Sequence, residues 1–524
     1  MRRFIISSLS LRRLAYHRHV IKGGYAFSGS PPRVSDRAVP PQDDGQILRW
    51  LMNMEKRPRF MSTQTNPPHT NVSSNEKEAI EIKVISRENI KPWYPTPENL
   101  RYYKLSFFDQ IEAPIYHPLM FFYQGHNNNN RKSIEDVILE RSNHLKQSLS
   151  ETLTRMHPFA GKLASELHVD CNDVGVYYVE TRVDDQLNNL LKEPDNKFLK
   201  RLIPIVDSVP NQPLVGCYVS MVQVNFFNCG GVSITIQHNH KFADARSTMI
   251  FMNTWAAIAR RDTNQVYPNF VSSSMFPQNP KLAFSPLWYL TISSAYIKHG
   301  KSSTTRFVFN ALALKELKAK ASKHQPVSRV VAVLALLWKC ASIESTQSKP
   351  SLLHMPVDIR QQFSPLLPDY SIGNIKSGAV ARFDPSASNL DVASMASRIK
   401  NAISDSISES FEELKGVNGH VKFVESLRNS MEMFSDFKTE YHLTTSLCNS
   451  GSKEADFGWG KPVWFCTGNH LNEDVPLFTN RVILVDSCSG DGIEAWVTLE
   501  KQVMDGVKCN AELLSYASVN PSPL

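Results

Sequence analysis

The stretch Val232-Ser-Ile-Thr-Ile-Gln-His-Asn-His240-Lys-Phe-Ala-Asp244 carries the pattern that decides the fold. Its apolar residues recur at every second position, which predicts a β-strand with His238 and His240 on the apolar face. Asp244 has the short carboxylate favoured at a helix N-cap, and a helical pattern follows it. An imidazole at the end of a buried strand can accept a proton, so we interpret His240 as a candidate catalytic base.

Two other interpretations of His240 stay open on this stretch alone. A histidine near the end of an apolar strand is more often a hydrogen-bonded core residue than a catalytic one. His238 and His240 also share a face and could be metal ligands, but zinc sites take three or four ligands. Because the sequence has no second Cys/His cluster, we predict no metal site.

Composition and charge narrow the class of protein. The 524 residues suit two or three domains, and 42% hydrophobic with 21% charged residues is ordinary for a globular protein. The net charge of +8 lies in residues 1–60, which carry 12 basic and 4 acidic residues, whereas the other 464 residues carry 46 of each. A neutral body argues against nucleic acid as a partner. The eight cysteines form no C-x-x-C pair, which indicates free thiols in a reducing compartment.

The N-terminal segment differs from the rest of the chain. Residues 1–35 contain seven basic residues and no acidic residue, a composition typical of an organelle transit peptide. We expect residues 1–79 to be a disordered leader of a cytoplasmic protein, with organelle import through residues 1–35 as the alternative. The longest purely apolar run, 330–338, is about half the length of a membrane span, so we expect no membrane association.

Strand and helix patterns alternate along the remaining chain and predict an α/β (α+β) fold in two lobes. The first lobe covers residues 80–265, a Pro-, Ser- and Asn-rich crossover covers 266–304, and the second lobe covers 305–524. The predicted strands lie at 79–85, 118–123, 169–181 (a hairpin), 219–227, 232–240, 305–309, 352–357, 482–486 and 493–499. The predicted helices lie at 134–155, 245–261, 312–322, 329–342 and 391–415.

A second unusual segment is Asp456-Phe-Gly-Trp-Gly-Lys-Pro462. Glycines on either side of a tryptophan permit positive φ angles and close packing against a large ring. The spacing fits neither a P-loop nor a dinucleotide-binding fingerprint. By its residues alone, the segment is a structural turn.

Together, the H-x-x-x-D pattern of His240 and Asp244 and the D-F-G-W-G pattern that begins at Asp456 resemble the plant BAHD acyltransferases, which use coenzyme A thioesters. Further matches in the same order extend the resemblance over about residues 80–515. They are Ile90-Lys-Pro92, Pro95-Thr-Pro97, Pro158-Phe-Ala-Gly161, Asp170-Cys-Asn-Asp173, Phe227-Asn-Cys-Gly-Gly231, Asp358-Ile-Arg360, Tyr370-Ser-Ile-Gly-Asn374 and Gly490-Asp-Gly-Ile-Glu-Ala-Trp496. Within the family, the chain is most similar to the vinorine synthase-like branch of alkaloid and alcohol acetyltransferases.

The resemblance implies two chloramphenicol-acetyltransferase-like lobes around a channel that crosses the molecule. Coenzyme A enters from one face and the acyl acceptor from the other. His240 matches the catalytic histidine of the family and is expected to take the proton of the acceptor hydroxyl group.

The other matched residues are expected to support the site. Asp244 matches the motif carboxylate and is expected to point away from the channel and to pair with Arg360, for which a solvated charge at a strand end is the alternative. Asp456 is a family motif residue that the resemblance offers as a second active-site residue beside His240. We favour a structural role, in which it holds a loop that shapes the coenzyme A side. The same supporting role is assigned to Gly458, Trp459 and Gly460.

Two positions depart from the family pattern. Most members have glycine directly after the motif aspartate, where this chain has Ala245. Many members have tryptophan where this chain has Leu447. These departures bear on the substrate and the activity, and leave the expected fold unchanged.

The expected function is that of an acyl-CoA-dependent O-acyltransferase. It would use acetyl-CoA as co-substrate, without a bound cofactor, and esterify a hydroxyl group of a plant specialised metabolite such as an alkaloid or alcohol. We expect a monomer that works through a ternary complex without an acyl-enzyme. Two alternatives stay open: a non-catalytic member that binds a metabolite or partner through the channel, and an N-acyltransferase.

Overall fold

The structure is a computed structural model that describes residues 80–125, 133–205, 215–263, 266–279, 296–345, 349–384, 390–415, 419, 421–423, 425, 439–468, 477–488 and 490–523. All of them belong to one compact unit, Pro68–Leu524. The predicted leader, 1–79, and its transit-peptide alternative lie outside the described residues.

Two large mixed sheets organise the described chain. The strands are β1 (Ile82–Ile90), β2 (Tyr102–Lys104), β3 (Tyr116–Tyr123), β4 (Lys162–Leu163), β5 (His168–Asp170), β6 (Val176–Val183), β7 (Ser220–Phe227), β8 (Val232–Asn239), β9 (Lys298–His299), β10 (Ser302–Phe309), β11 (Ser351–Asp358), β12 (Lys376–Phe383), β13 (Glu440–Ser446), β14 (Trp464–Thr467), β15 (Leu477–Phe478), β16 (Arg481–Asp486), β17 (Ile493–Glu500) and β18 (Ser518–Val519). The helices are α1 (Phe107–Gln110), α2 (Ile134–Arg155), α3 (Leu187–Lys192), α4 (Asn196–Arg201), α5 (Ala245–Ala259), α6 (Ser272–Met275), α7 (Ala311–Ala321), α8 (Arg329–Glu344), α9 (Val392–Lys415), α10 (Lys501–Val507) and α11 (Ala511–Leu514). Short 3-10 helices lie at Glu98–Leu100, His157–Ala160, Arg360–Phe363 and Ser452–Glu454.

The first sheet has the strand order β1-β6-β7-β8-β3-β14. Strands β7 and β8 form the predicted antiparallel hairpin and are buried on both faces. Apolar residues of α2 and α5, among them Leu149 and Trp255, pack against one face of this sheet. The opposite face of β3 and β14 packs against Ile483 and Trp496 of the second sheet. The central strands β7 and β8 are therefore covered on both faces.

The second sheet has the order β12-β11-β13-β16-β17-β10-β18. Its helices α7, α8, α9 and α10 share one hydrophobic core with the sheet. The predicted closing hairpin is present as β16 and β17, with Ile483 opposite Trp496. The two sheets and their helices give the mixed α/β architecture that the alternation of patterns predicts.

Strand β14 crosses from the second half of the chain into the first sheet. Trp464 pairs with Phe122 and Cys466 with Met120, so β14 extends the sheet beyond β3. This strand lies within residues 305–524, the expected second lobe, yet it pairs in the first sheet. Trp464 and Cys466 are buried in the first sheet. The burial of their apolar surface stabilises this pairing.

Local patterns located most long elements but failed where a strand's partner is distant. The helix predicted at 134–155 is confirmed as Ile134–Arg155. The hairpin predicted at 169–181 was wrong, because β5 pairs with β2 and β4 whereas β6 pairs with β1 and β7. Asp173 and Gly175 have positive φ and turn the chain, but the turn leads into another sheet. No helix in the described ranges has the length and apolar character that a bilayer crossing needs.

Candidate active site

A cavity of about 550 Å³ lies between the two sheets. One wall comes from β3, the end of β8 and the start of α5, and the other from β11, β12, β13 and β16. His240 lines this cavity, and its side chain is 19% exposed. The ring therefore faces open space instead of solid hydrophobic packing.

The backbone of His240 is held from both sides. Its N–H donates to the carbonyl of Ile115, 2.7 Å away, just before β3 begins. Its carbonyl accepts a hydrogen bond of 2.7 Å from the side-chain amide of Asn374, in the loop before β12. The His240 ring packs edge-on against His117, with ring centroids 4.8 Å apart. The site histidine is thus fixed by segments of both halves of the chain.

Asn374 is itself anchored on a buried carboxylate. Asp109 Oδ1 accepts hydrogen bonds from the Asn374 backbone and side-chain N–H groups, at 2.8 and 2.9 Å. Asp109 also forms a capping box with Ser106 at the start of α1. Burial raises the pKa of Asp109 to about 6, even though the hydrogen bonds from Ser106 and Asn374 act in the opposite direction. In the sequence, Asn374 is the last residue of the family match Tyr370-Ser-Ile-Gly-Asn374, and no role is predicted for it.

The two ring nitrogens of His240 have different surroundings. Nδ1 is buried and has no hydrogen-bond partner in the described part of the chain. Glu112 Oε2 lies 3.6 Å from it, and the other carboxylate oxygen of Glu112 lies 2.7 Å from Lys376 Nζ. Burial acts to raise the pKa of Glu112, but the charges of Lys376 and His240 outweigh it and the pKa is lowered. A carboxylate with a lowered pKa thus stands beside Nδ1.

His238 has the environment of a core histidine. It is 2% exposed, packs edge-on against Phe159 and Phe251, and has Nδ1 2.8 Å from Ser220 Oγ. Burial lowers its pKa to about 3, so the ring is neutral at physiological pH. Within the described ranges, no group of three or more His, Cys, Asp or Glu residues is placed to hold a metal ion.

The motif carboxylate of Asp244 is directed at an arginine. Asp244 caps α5 by accepting the Ser247 N–H at 2.7 Å, and its Oδ2 lies 2.8 Å from Arg360 Nη1. The Arg360 side chain is 2% exposed, so it is not a solvated charge. It also donates to the carbonyl oxygens of Ser371 and Gly373, at 3.1 and 2.8 Å. This buried network ties the start of α5 to the loop before β12.

The D-F-G-W-G loop is stabilised by its own aspartate. Asp456 Oδ1 accepts the backbone N–H groups of Gly458 and Gly460 at 2.8 and 3.0 Å. Both glycines have positive φ, 99° and 107°, which side chains with a Cβ rarely adopt. Phe457 is fully buried and stacks on Trp459. None of residues 456–460 is among the described residues that line the cavity.

Side chains from helices and strands in the first half of the chain contact this loop. Arg141 lies over the Trp459 ring, 5.0 Å from its centroid, and His144 Nε2 is 3.2 Å from the carbonyl oxygen of Phe457. Arg260 donates to the carbonyl of Asp456, and the Tyr123 hydroxyl donates to that of Ala455 at 2.7 Å. The loop ends just before β14. These contacts therefore hold the chain next to the first sheet at the point where β14 begins.

Both departures from the family pattern face the cavity. Ala245 is the first residue of α5 and Leu447 follows β13, and each lines the space around His240. Leu447 is 4% exposed, and its N–H donates to the carbonyl of Leu484 at 2.7 Å. These two side chains therefore help to shape the cavity.

Glu112 and Lys376, like Asn374, are site residues for which the sequence predicts no role. Glu112 stands in Ile111-Glu-Ala-Pro-Ile115, a short stretch with no periodic pattern. The only signal was an acidic residue among apolar ones, which is not specific enough to indicate a site.

Known proteins resemble this chain over nearly all of the described range. The model of the Transferase family matches residues 80–514. A limonoid 7-O-acetyltransferase of Citrus sinensis is 34% identical, with 85% of this chain and 100% of that protein covered. Akuammiline synthase 2 of Alstonia scholaris is 32% identical, with 84% and 98% covered. The crystal structure of vinorine synthase is similar with a TM-score of 0.68 and 28% identity, covering 85% of this chain and all of the other.

Proposed function

Because this chain belongs to the Transferase (BAHD) family and is an acyltransferase, we propose that it transfers an acetyl group from acetyl-CoA to a hydroxyl group of a plant specialised metabolite. The observation that carries this proposal is the His240 imidazole at the wall of the cavity between the two sheets. The acceptor is an alkaloid, an alcohol or another compound with a free hydroxyl group.

His240 acts as the general base in the proposed reaction. An alcohol is a poor nucleophile until its proton is removed, and a neutral imidazole can take that proton near neutral pH. Nε2 accepts the proton as the alcohol oxygen attacks the thioester carbonyl. The tetrahedral intermediate then breaks its C–S bond, and the coenzyme A sulfur takes the proton back from the imidazolium. A positioned base of this kind contributes about 10²- to 10⁴-fold to the rate.

The reaction needs no covalent acyl-enzyme. No cysteine occurs among the described residues that line the cavity, so a thiol nucleophile is not at hand. A base that activates the acceptor directly requires both substrates in the cavity at once, which is a ternary complex. Asp244 and Asp456 support this site through the Arg360 network and the glycine loop, without contact with the reacting atoms.

The cavity suits a mostly apolar acceptor. Its volume of about 550 Å³ falls within the range of roughly 300–1,000 Å³ that small-molecule sites occupy. Leu119, Ala243 and Leu443 contribute apolar surface, and Thr444 and Thr445 contribute hydroxyl groups. The limonoid O-acetylation named for one relative supports an acceptor with a large hydrocarbon skeleton.

We place the protein in the cytoplasm as a monomer. The eight cysteines are scattered along the sequence without a C-x-x-C pair, which agrees with a reducing compartment. Sedimentation of the purified chain tests the monomer, and a fluorescent fusion of the full chain tests the location. A fluorescent signal confined to an organelle would instead support import through residues 1–35.

The test of the proposed function is acetyl transfer by the purified protein. Acetyl-CoA is supplied with a panel of limonoids, indole alkaloids and simple alcohols, and products are identified by mass spectrometry alongside free-thiol release. We expect an acetate ester from the wild type and a loss of at least about 100-fold in His240→Ala. Equal turnover by both proteins would contradict the proposal. Tight binding of a panel compound without turnover would favour the non-catalytic alternative, and an amide product the N-acyltransferase.

A further inference from the structure

The buried side of the catalytic imidazole faces a carboxylate that is not part of the H-x-x-x-D pattern. Glu112 Oε2 lies 3.6 Å from His240 Nδ1, and the Glu112 side chain is only 18% exposed. Asp244, the carboxylate within the motif, is engaged by Arg360 and by the Ser247 N–H. Glu112 is therefore the acidic group placed to act on the ring.

We propose that Glu112 positions the His240 imidazole and stabilises its protonated form during acyl transfer, with Lys376 holding the carboxylate in place. This inference rests on the proposed function, in which His240 is the base. Glu112 acts through His240 and is a positioning residue.

The first argument is the hydrogen bonding of Nδ1. A base that accepts a proton at Nε2 carries its own proton on Nδ1, and that N–H needs an acceptor. Nδ1 is buried and lacks a hydrogen-bond partner among the described residues. A buried, unpaired donor is costly. Glu112 Oε2 is within 1 Å of hydrogen-bonding distance, and catalytic hydrogen bonds commonly shorten when substrates bind.

The second argument is charge. When His240 accepts the substrate proton, a positive charge develops on a ring that is 19% exposed. An ionised carboxylate next to that ring lowers the energy of the imidazolium, because opposite charges attract strongly where water is largely excluded. The same carboxylate also fixes the tautomer with the lone pair on Nε2. Both effects favour proton transfer from the acceptor hydroxyl.

The third argument is the arrangement that keeps Glu112 ionised and in place. Lys376 Nζ lies 2.7 Å from Oε1, which leaves Oε2 for the ring. Lys241 adds a second positive charge nearby, and its Nζ donates to the backbone carbonyls of Gln110 and Glu112. His354 is also near Glu112, but burial lowers its pKa to about 4, so it is neutral at physiological pH. Lys376 starts β12 of the second sheet, so both halves of the chain contribute to the alignment of the ring.

The test compares variants of the full chain in the acetyl-transfer assay. Glu112→Gln removes the charge and keeps the size of the side chain, whereas Glu112→Asp keeps the charge. The matched control is Glu512→Gln, because Glu512 is also partly buried and bridges two lysines, Lys320 and Lys339, at a position that does not line the cavity. His240→Ala and the double variant Glu112→Gln/His240→Ala complete the series.

The expected result is a loss specific to kcat. Glu112→Gln lowers kcat by about tenfold, the factor expected when one nearby, partly screened charge is lost, and changes the KM for acetyl-CoA by less than about twofold. Glu112→Asp recovers part of kcat, and Glu512→Gln keeps the wild-type kcat. In the His240→Ala background, Glu112→Gln causes no further loss, because its effect is exerted through the ring.

Other outcomes separate this inference from the proposed function. A wild-type kcat for Glu112→Gln, with His240→Ala inactive, would overturn the role of Glu112 and leave the base intact. A further tenfold loss on adding Glu112→Gln to His240→Ala would also overturn it, because the glutamate would then act independently of the ring. Wild-type turnover by His240→Ala would contradict the proposed function itself.

Discussion

Arg360 Nη1 lies 2.8 Å from Asp244 Oδ2, and both side chains are buried between the start of α5 and the loop before β12. The carboxylate of the H-x-x-x-D pattern therefore serves the architecture of the site, while the histidine faces the cavity. Burial alone would raise the pKa of Asp244, but the Arg360 guanidinium and the Ser247 hydrogen bonds lower it.

Loss of the Asp244 charge should destabilise the whole protein. Asp244→Asn removes the nearer and more buried of the two carboxylates beside the Arg360 guanidinium, at 2.8 Å, and leaves only the half-exposed Asp358 at 3.2 Å. The free energy of unfolding should fall by up to about 3–5 kcal/mol. Acyl transfer falls with it, since the deformed loop carries Asn374, which holds the backbone of His240. Urea unfolding measures the stability. The matched control is Asp505→Asn in the exposed pair with Lys501, which should leave the stability nearly unchanged, because solvent screens an exposed ion pair.

The protein should need Asp456 as a hydrogen-bond acceptor in its loop, and not as an acid or a base in the reaction. Asp456→Ala removes the acceptor of the Gly458 and Gly460 N–H groups and should cost about 1–3 kcal/mol of stability. Asp456→Asn keeps an oxygen acceptor and should retain most of the stability and turnover. Thermal unfolding and kcat are measured on both variants. An Asp456→Asn protein that is stable but inactive would indicate a direct part in the reaction.

Leu447→Trp should restrict the acceptor side of the reaction. Leu447 is buried and lines the cavity together with His240. The larger indole ring of a tryptophan there would occupy part of the cavity. We expect kcat/KM for bulky acceptors to fall by about tenfold or more, while small alcohols keep theirs within about threefold, because the steric conflict grows with acceptor size. Competition between one bulky and one small acceptor measures this preference. Equal losses for both would show that Leu447 does not select by size.

Acidification should destabilise the protein through His238. Its pKa is about 3 in the folded protein, against about 6.5 in the unfolded chain. As the pH falls below about 6.5, the unfolded state binds a proton that the folded state does not, so stability falls by up to about 1.4 kcal/mol per pH unit until the folded pKa is reached. Above about pH 6.5 this contribution is fully present and constant.

The variant His238→Gln isolates that contribution. It removes the titrating group, so the slope of unfolding free energy against pH between about 6 and 4 should become shallower by up to about 1.4 kcal/mol per unit. The comparison is between slopes and does not depend on the absolute stability of the variant. His324→Gln, which removes an exposed histidine outside the cavity lining, is the control for the loss of a histidine side chain. Identical slopes in wild type and His238→Gln would contradict the assignment of a neutral, buried His238.

The sequence revealed the elements whose signals are local. The alternation from Val232 to His238 predicts β8, and Asp244 followed by a helical pattern predicts the start of α5. Because strand and helix meet there, the position of His240 at a strand end could be deduced directly. The pairing of Asp244 with Arg360 came from family resemblance, since nothing local in the sequence connects two residues so far apart.

Relations between distant segments could not be derived in this way. Glu112 reaches His240 because Tyr116 pairs with Asn239, so the turn before β3 folds over the end of β8. That register depends on which strands become neighbours, and the residues around Glu112 do not encode it alone. The place of β14 in the first sheet could not be derived for the same reason. Nothing in the residues around Trp464 indicates that its partner is Phe122, in the other half of the chain.

The central claim is that the imidazole of His240 takes the acceptor proton. The most direct test is kcat for ester formation by folded His240→Ala at saturating acetyl-CoA and acceptor, with His238→Gln as the control for loss of a neighbouring histidine. We predict that His240→Ala loses about 10²- to 10⁴-fold in kcat and that His238→Gln loses far less. A His240→Ala protein that forms ester at the wild-type rate would contradict the claim.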